Sequence, residues 1–338
     1  MDLSLKDKSK AVPRSTYVRI GDLLARFGIV VILLILVIGL TLLTPSVRGE
    51  QYFLTKTNLL NVALQASINS VIAVGMTFII TSGGIDLSVG SMAGFVGILI
   101  ALALRDYGVG PVGGLVVAMV AGSLCGLFNG LLITRANLQP FIVTLGTMGM
   151  FRGLALVASN GRPIYGFGRS FIKTFSGNTI GDLPKPVIVA ALVALGGWLI
   201  LTQTRFGKYT IAIGGNEEST ALAGIPIKRY KLGIYVFGGF LTGIAATLLT
   251  ARLSSADPTA GMSYELDAIA ATVMGGTSLR GGQGNILGTM VGALIISLVR
   301  NGMNILNVPT FWQQFVIGSV IILAALLDQW RKGQSTST

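Results

Sequence analysis

Residues 59–104 read LLNVALQASINSVIAVGMTFIITSGGIDLSVGSMAGFVGILIALAL, and in this whole stretch Asp86 is the one charged side chain. A bilayer core takes roughly 20 apolar residues per helix. The stretch therefore divides into two membrane elements, Leu59–Thr81 and Ser91–Leu104, joined by Ser82-Gly83-Gly84-Ile85-Asp86-Leu87-Ser88-Val89-Gly90. Working outward, the same pattern predicts apolar elements at Phe27–Leu43, Val112–Thr134, Phe141–Ala158, Pro186–Leu201, Leu232–Thr250, Leu266–Met274, Ile286–Val299 and Phe311–Leu327. The expected fold is an all-α polytopic membrane protein of about ten transmembrane or re-entrant helices. Ser91–Leu104 and Leu266–Met274 are too short to cross alone, so eight full spans with two half-helices is the other count.

Composition agrees. Of the 338 residues, 52% are hydrophobic and 11% charged, against roughly 25% charged in a soluble domain. The formal charge is +12, but the basic residues lie in a tail and in short loops with no aromatic interleaving, which argues against nucleic acid. They read instead as a positive-inside signal. Lys6, Lys8, Lys10, Arg14, Arg19 and Arg26 place a tail over residues 1–26 in the cytoplasm. The loop 204–231, with Arg205, Lys208, Lys228, Arg229 and Lys231, falls on the same side, as does a tail over 329–338. Both termini are expected inside, flanking a membrane domain over 27–328. The outer loop Asn160–Lys185 reads as a surface segment without a periodic apolar face. No small-residue cleavage site follows Leu43, so the first run is expected to stay as a span.

There is one cysteine, Cys125, and no histidine. Zinc sites and Ser-His or Cys-His catalysis have no residues to work with, and no metal site is expected. An ion- or proton-coupled carrier would call for several buried carboxylates or histidines as relays, and only Asp86 qualifies.

Three constellations remain. In the first, Ser82, Gly83, Gly84, Asp86 and Ser88 break the apolar run. Non-helical backbone at membrane depth must be buried by protein or line water, and an acid there is a functional candidate; equally, Asp86 or Ser88 serves as a cap for the next helix. Gly275 and Gly276 echo Gly83 and Gly84, with Leu279 and Gly282 at the offsets of Leu87 and Gly90, which suggests an internal repeat and paired broken helices on a translocation path. In the second, Gly215-Asn216-Glu217-Glu218 through Ala221, Ala223, Gly224, Ile225 and Pro226 carries every end signal of one short helix. So short a helix needs a docking surface, either its own bundle or a partner. In the third, Ser254 and Ser255 precede Glu265 and Asp267 on the outer side; the two acids suit a helix start, and solute hydroxyls are the alternative partner.

Taken together, these stretches resemble the permease subunit of ribose-type sugar importers of the ATP-binding-cassette class. The residues that carry the resemblance are Gly83-Gly84-Ile85-Asp86-Leu87-Ser88-Val89-Gly90, Gly214-Gly215-Asn216-Glu217 with Ala223-Gly224-Ile225, Arg252-Leu253-Ser254-Ser255-Ala256, Tyr264-Glu265-Leu266-Asp267-Ala268-Ile269-Ala270-Ala271 and Gly275-Gly276-Thr277-Ser278-Leu279. The likeness runs from about Ser67 to Asp328. It implies a bacterial inner-membrane protein that works as a pair of permease subunits, takes a monosaccharide, ribose foremost, from an extracytoplasmic sugar-binding protein, and is driven by separate ATPase subunits. It also implies that Asn216–Ile225 is the coupling helix that docks into the ATPase. The chain has no Gly-x-x-x-x-Gly-Lys-Ser/Thr phosphate loop, so no cofactor is expected here, and ATP-Mg belongs to the partner.

Overall fold

A computed structural model describes residues 20–179, 182–309, 311–320 and 322. Its elements are α1 Ile20–Arg48, α2 Lys56–Thr81, α3 Val89–Asp106, α4 Pro111–Thr134, α5 Pro140–Ala158, α6 Arg169–Phe175, α7 Lys185–Gln203, α8 Arg205–Gly215, α9 Glu217–Leu222, α10 Ile227–Leu253, α11 Tyr264–Met274 and α12 Ile286–Ile305. Residues 311–320 are helical too, and among the described residues there is no strand beyond isolated bridges. Among the described residues, seven helices are long and apolar enough to cross a membrane: α2, α3, α4, α5, α7, α10 and α12. The expected all-α polytopic fold is what forms. Residues 1–19 of the expected tail over 1–26, the whole tail over 329–338, and residues 321 and 323–327 of the last predicted span lie outside the described residues; helical backbone starts at Ile20, inside the expected tail.

α2 is the axis of the bundle. From Ala66 to Thr81 every residue is buried, so this helix touches protein on all sides and its lack of a polar face reflects burial, not lipid contact. At 26 residues it is about 39 Å long and defines two ends. Lys56, at its start, pairs with Asp182 of the 160–185 loop at 2.8 Å. Thr81, at its finish, meets α8 and the loop after α11.

Small residues set the helix contacts. On α4, Gly122 and Gly126 face Gly239 and Gly243 of α10; a Cβ on any of these four would strike the other helix's backbone. With no hydrophobic force between helices in lipid, close backbone approach of this kind is what holds them. α12 closes on α2 through Thr77 and Thr289, whose hydroxyls lie 2.9 Å apart, and through a reciprocal amide pair, Asn58 with Asn301, at 3.0 and 2.8 Å.

Three expectations are corrected. Ser91–Leu104 is not a half-helix: α3 has 18 residues, about 27 Å, because it begins at Val89 behind the Asp86 turn and runs on through the exposed Arg105–Asp106 pair. α11 does remain partial, at 11 residues. The 160–185 loop is not a bare surface segment, since it folds α6 and buries Ile164, Phe167 and Phe171, with Ile164 bridged to Ala256. Its apolar residues are too irregularly spaced to show a period in sequence. The echo of the two glycine pairs is shifted by one. Both helices end in the same motif, in which the amide of the residue after a left-handed glycine reaches back five residues: Gly84 to Ile79 and Thr277 to Thr272. The left-handed residues are Gly83 and Gly276, so Gly276, and not Gly275, is the counterpart of Gly83.

Candidate functional site

α9 stands out as a short, mostly exposed helix. Asn216 caps it, Oδ1 accepting the Ser219 amide at 2.8 Å, and Glu217 and Glu218 occupy the first turn. Gly224 takes the left-handed position with φ +80°, its amide reaches Ala221, and that of Ile225 reaches Thr220. These are the end signals read from the sequence. Only Thr220 of the six helical residues is buried, its hydroxyl held by Ala212 and Asn216 carbonyls. Glu218, Ala221 and Ala223 are exposed, and Leu222 is 84% exposed. The helix does not lie down on its own bundle.

What holds it is α8, which the sequence reading left inside a loop. Thr204 caps α8 through the Gly207 amide at 3.3 Å. Phe206 lies among Phe78 of α2 and Tyr230 and Phe237 of α10, with ring centroids 6.1, 6.1 and 6.4 Å away. Aromatic contacts of this kind contribute about 0.5–1.5 kcal/mol each beyond burial, enough to fix α8 against two spans. Lys231 adds a 2.6 Å pair to Glu217.

Beyond α8 is a three-way junction of backbone. Gly282 donates to the Thr81 carbonyl at 2.9 Å. A Cβ on Gly214 would collide with that same carbonyl and with the Gly282 amide, and Gly281 and Gly282, at φ +83° and +77°, lie on the Gly214–Gly215 backbone. The end of α8, the end of α2 and the 275–285 loop therefore touch without side chains between them. Displacement of one element here is passed to the others by hard contact. Gly275 makes a similar contact with the Gly288–Thr289 backbone of α12.

Four residues beyond Ser82, Asp86 is 1% exposed. Its Oδ1 accepts the Ser88 amide at 2.8 Å and the Ser88 hydroxyl at 2.6 Å; Asn129 of α4 donates to Ser88 Oγ at 2.9 Å and to Asp86 Oδ2 at 3.5 Å. The Ser88 carbonyl then opens α3 by accepting from Met92 at 2.7 Å. Asp86 thus braces the turn between two helices. Ser82 is tied back to the Ile79 carbonyl, and Gly84 lies under the Tyr235 hydroxyl.

At the other end, Ser254 takes the left-handed cap position of α10 and Ser255 bonds the Leu253 carbonyl at 3.3 Å. Glu265 rests against Gly90 of α3. Asp267 does more than serve the start of α11: Arg300 of α12 donates to its Oδ1 at 2.8 Å. That ion pair is part of the wall of a cavity of about 270 Å³, in the half of the bundle away from α9, together with Gln65 and Asn69 of α2, Arg252 of α10 and Asn304 of α12. The sequence reading missed this cavity. Its signal is faint but present: polar residues four apart on α2 (65, 69), and at 297, 300 and 304 on α12, each set on one helical face. Their partners are too distant in sequence for spacing to connect them.

A protein-family model described as "Branched-chain amino acid transport system / permease component" matches residues 58–325. Among curated proteins, the chain is 46% identical over 298 residues to the ribose import permease protein RbsC of Bacillus subtilis (strain 168), covering 88% of this chain and 90% of that one. It is 39% identical to the D-allose transport system permease protein AlsC of Escherichia coli (strain K12), covering 90% and 91%. It is 34% identical to the xylose transport system permease protein XylH of the same organism, covering 84% and 87%. No solved structure matches. With the family model spanning most of a bundle of membrane-length helices, this chain belongs to the branched-chain amino acid transport system / permease component family and is a multi-pass membrane permease.

Proposed function

We propose that this chain is the membrane-spanning subunit of an ATP-driven importer of a monosaccharide, ribose or a close relative, and that Asn216–Ile225 is where a separate ATPase subunit drives it. The observation that carries the reading is α9: six helical residues, all but Thr220 exposed, on a base pinned to α2 and α10. An isolated helix of this length is unstable in water, and an exposed Leu222 beside the exposed Glu218 offers an apolar and acidic knob to a groove on another protein. The names of the ribose, allose and xylose permeases support a sugar as the solute.

The basic residues Arg205, Lys208, Lys228, Arg229 and Lys231 around α9 support a cytoplasmic position for this end. A sugar-binding protein then delivers solute at the opposite end, where the 160–185 and 254–263 segments lie, and a second copy of the chain completes the permease. Closure of the ATPase subunits on ATP-Mg pushes α9. The rigid α8 passes the push to Thr81 and Gly282, and the ends of α2 and of the 275–285 loop shift together, opening one side of the bundle as the other closes. The chain has no Gly-x-x-x-x-Gly-Lys-Ser/Thr phosphate loop, and in this reading its part in the cycle is geometric.

The test is uptake of labelled ribose into vesicles holding the permease with its ATPase, the binding protein being supplied outside. Uptake that requires ATP and survives an uncoupler is the expected result. Uptake abolished by the uncoupler and indifferent to ATP overturns the reading in favour of an ion-coupled carrier.

A further inference from the structure

We infer that the cavity between α2, α10, α11 and α12 holds one polyhydroxylated solute of monosaccharide size on its way through the bundle. The inference rests on the importer reading above and names the residues that meet the solute. At about 270 Å³ the space lies just under the roughly 300 Å³ at which pockets for drug-sized ligands begin, which suits a single small ring.

Its chemistry suits hydroxyl groups. Gln65, Asn69 and Asn304 each carry an amide that both donates and accepts, as a hydroxyl does. The one carboxylate of the wall, Asp267, is already paired with Arg300, so it does not stand as a bare charge seeking a cation. Arg252 adds donors only. Asn69 supplies an independent sign of a missing partner: it is 5% exposed, lines the cavity, and its Oδ1 has no hydrogen-bond donor within reach. A buried amide oxygen left in this state is costly, and native interiors rarely keep one. A solute hydroxyl is the donor this position lacks.

The cavity is also wired to α9. Asp267 and Tyr264 of its wall sit at the start of α11, whose finish at Gly275–Gly276 leads into the loop that touches Gly214 and Thr81. Over the 11 residues of α11, about 17 Å, a shift at the α9 end arrives at the wall that holds the solute. A site whose shape follows the motor is what alternating access needs.

The experiment measures labelled ribose moved per ATP hydrolysed in vesicles carrying the permease, its ATPase and the binding protein. Asn69→Leu, which keeps the bulk and removes the amide, is expected to lower that ratio about two- to tenfold, the range that one neutral hydrogen bond spans. Gln65→Leu gives the same reading, and Ser297→Ala, which deletes one oxygen, serves if either larger change prevents folding. A ratio equal to that of the unmutated protein in the folded variants overturns the proposal while leaving the importer reading intact. Failure of the unmutated assembly to move ribose with ATP overturns the importer reading itself.

Discussion

Asp86 shows what a single side chain contributes at membrane depth. Its Oδ1 takes both the amide and the hydroxyl of Ser88, and its removal strands those donors in a site with 0–1% exposure. Each buried group left without a partner costs about 1–3 kcal/mol. Asp86→Leu is therefore expected to lower the Tm of the detergent-solubilised protein by several degrees, whereas Asp86→Asn, which keeps an acceptor oxygen, falls much less. Equal melting of the two variants would remove the bracing role. On the opposite, water-facing side, the Lys56 ammonium 2.8 Å from Asp182 holds that carboxyl below the ordinary carboxylate range, the hydrogen bond being the larger cause and the charge the second. The folded pKa lies below the unfolded one, so this contact stabilises above the unfolded value of about 3.9 and its contribution is lost as pH falls through the lower folded value. In Lys56→Gln the Asp182 carboxyl should titrate upward, back toward about 3.9, when followed by carboxyl resonance. An unmoved titration would mean that the pair does not form in solution.

Among the elements, α4 and α10 make the clearest case for packing by absence. Gly126 lies under the Tyr235 carbonyl, and a Cβ there would collide with it. Gly126→Leu must part the two helices, and overpacking of that kind costs about 1–3 kcal/mol, read as a lower Tm. Gly146 of α5 has nothing within 4 Å of such a Cβ, so Gly146→Ala should be neutral or stabilising by about 0.5–1 kcal/mol through helix propensity. The same elements show how far the sequence could be read. Ten apolar elements, the α9 caps and the glycine breaks are local features, each fixed by residues within a turn or two of one another. α9 was legible because Asn216, Gly224 and Pro226 are adjacent signals, and Asn216→Ala should cost about 1 kcal/mol of cap. α8 was not, since its hold on the bundle is Phe206 meeting Phe78 and Phe237, contacts that no spacing encodes. The cavity was hidden for the same reason, its wall being drawn from positions 65 to 313.

At the scale of the molecule, the arrangement is a buried axis with the exposed α9 at one end and the polar cavity in the other half. α2 carries Thr81 at the α9 end and Gln65 and Asn69 beside the cavity, and α11 runs between the same two regions. Gly214 is the joint through which they are reached. Gly214→Val forces side-chain bulk between Thr81 and Gly282 and should cut ATP-dependent uptake at least tenfold, while Gly215→Ala, whose Cβ would lie 3.9 Å from the Gly282 Cα in ordinary contact, should retain it. The most direct test of the central claim exchanges residues 216–224 for an unrelated helix of equal length and follows ribose uptake driven by the separate ATPase. Uptake should vanish while the protein still folds and inserts. Full uptake through the exchanged helix would contradict the claim that α9 is where the motor acts.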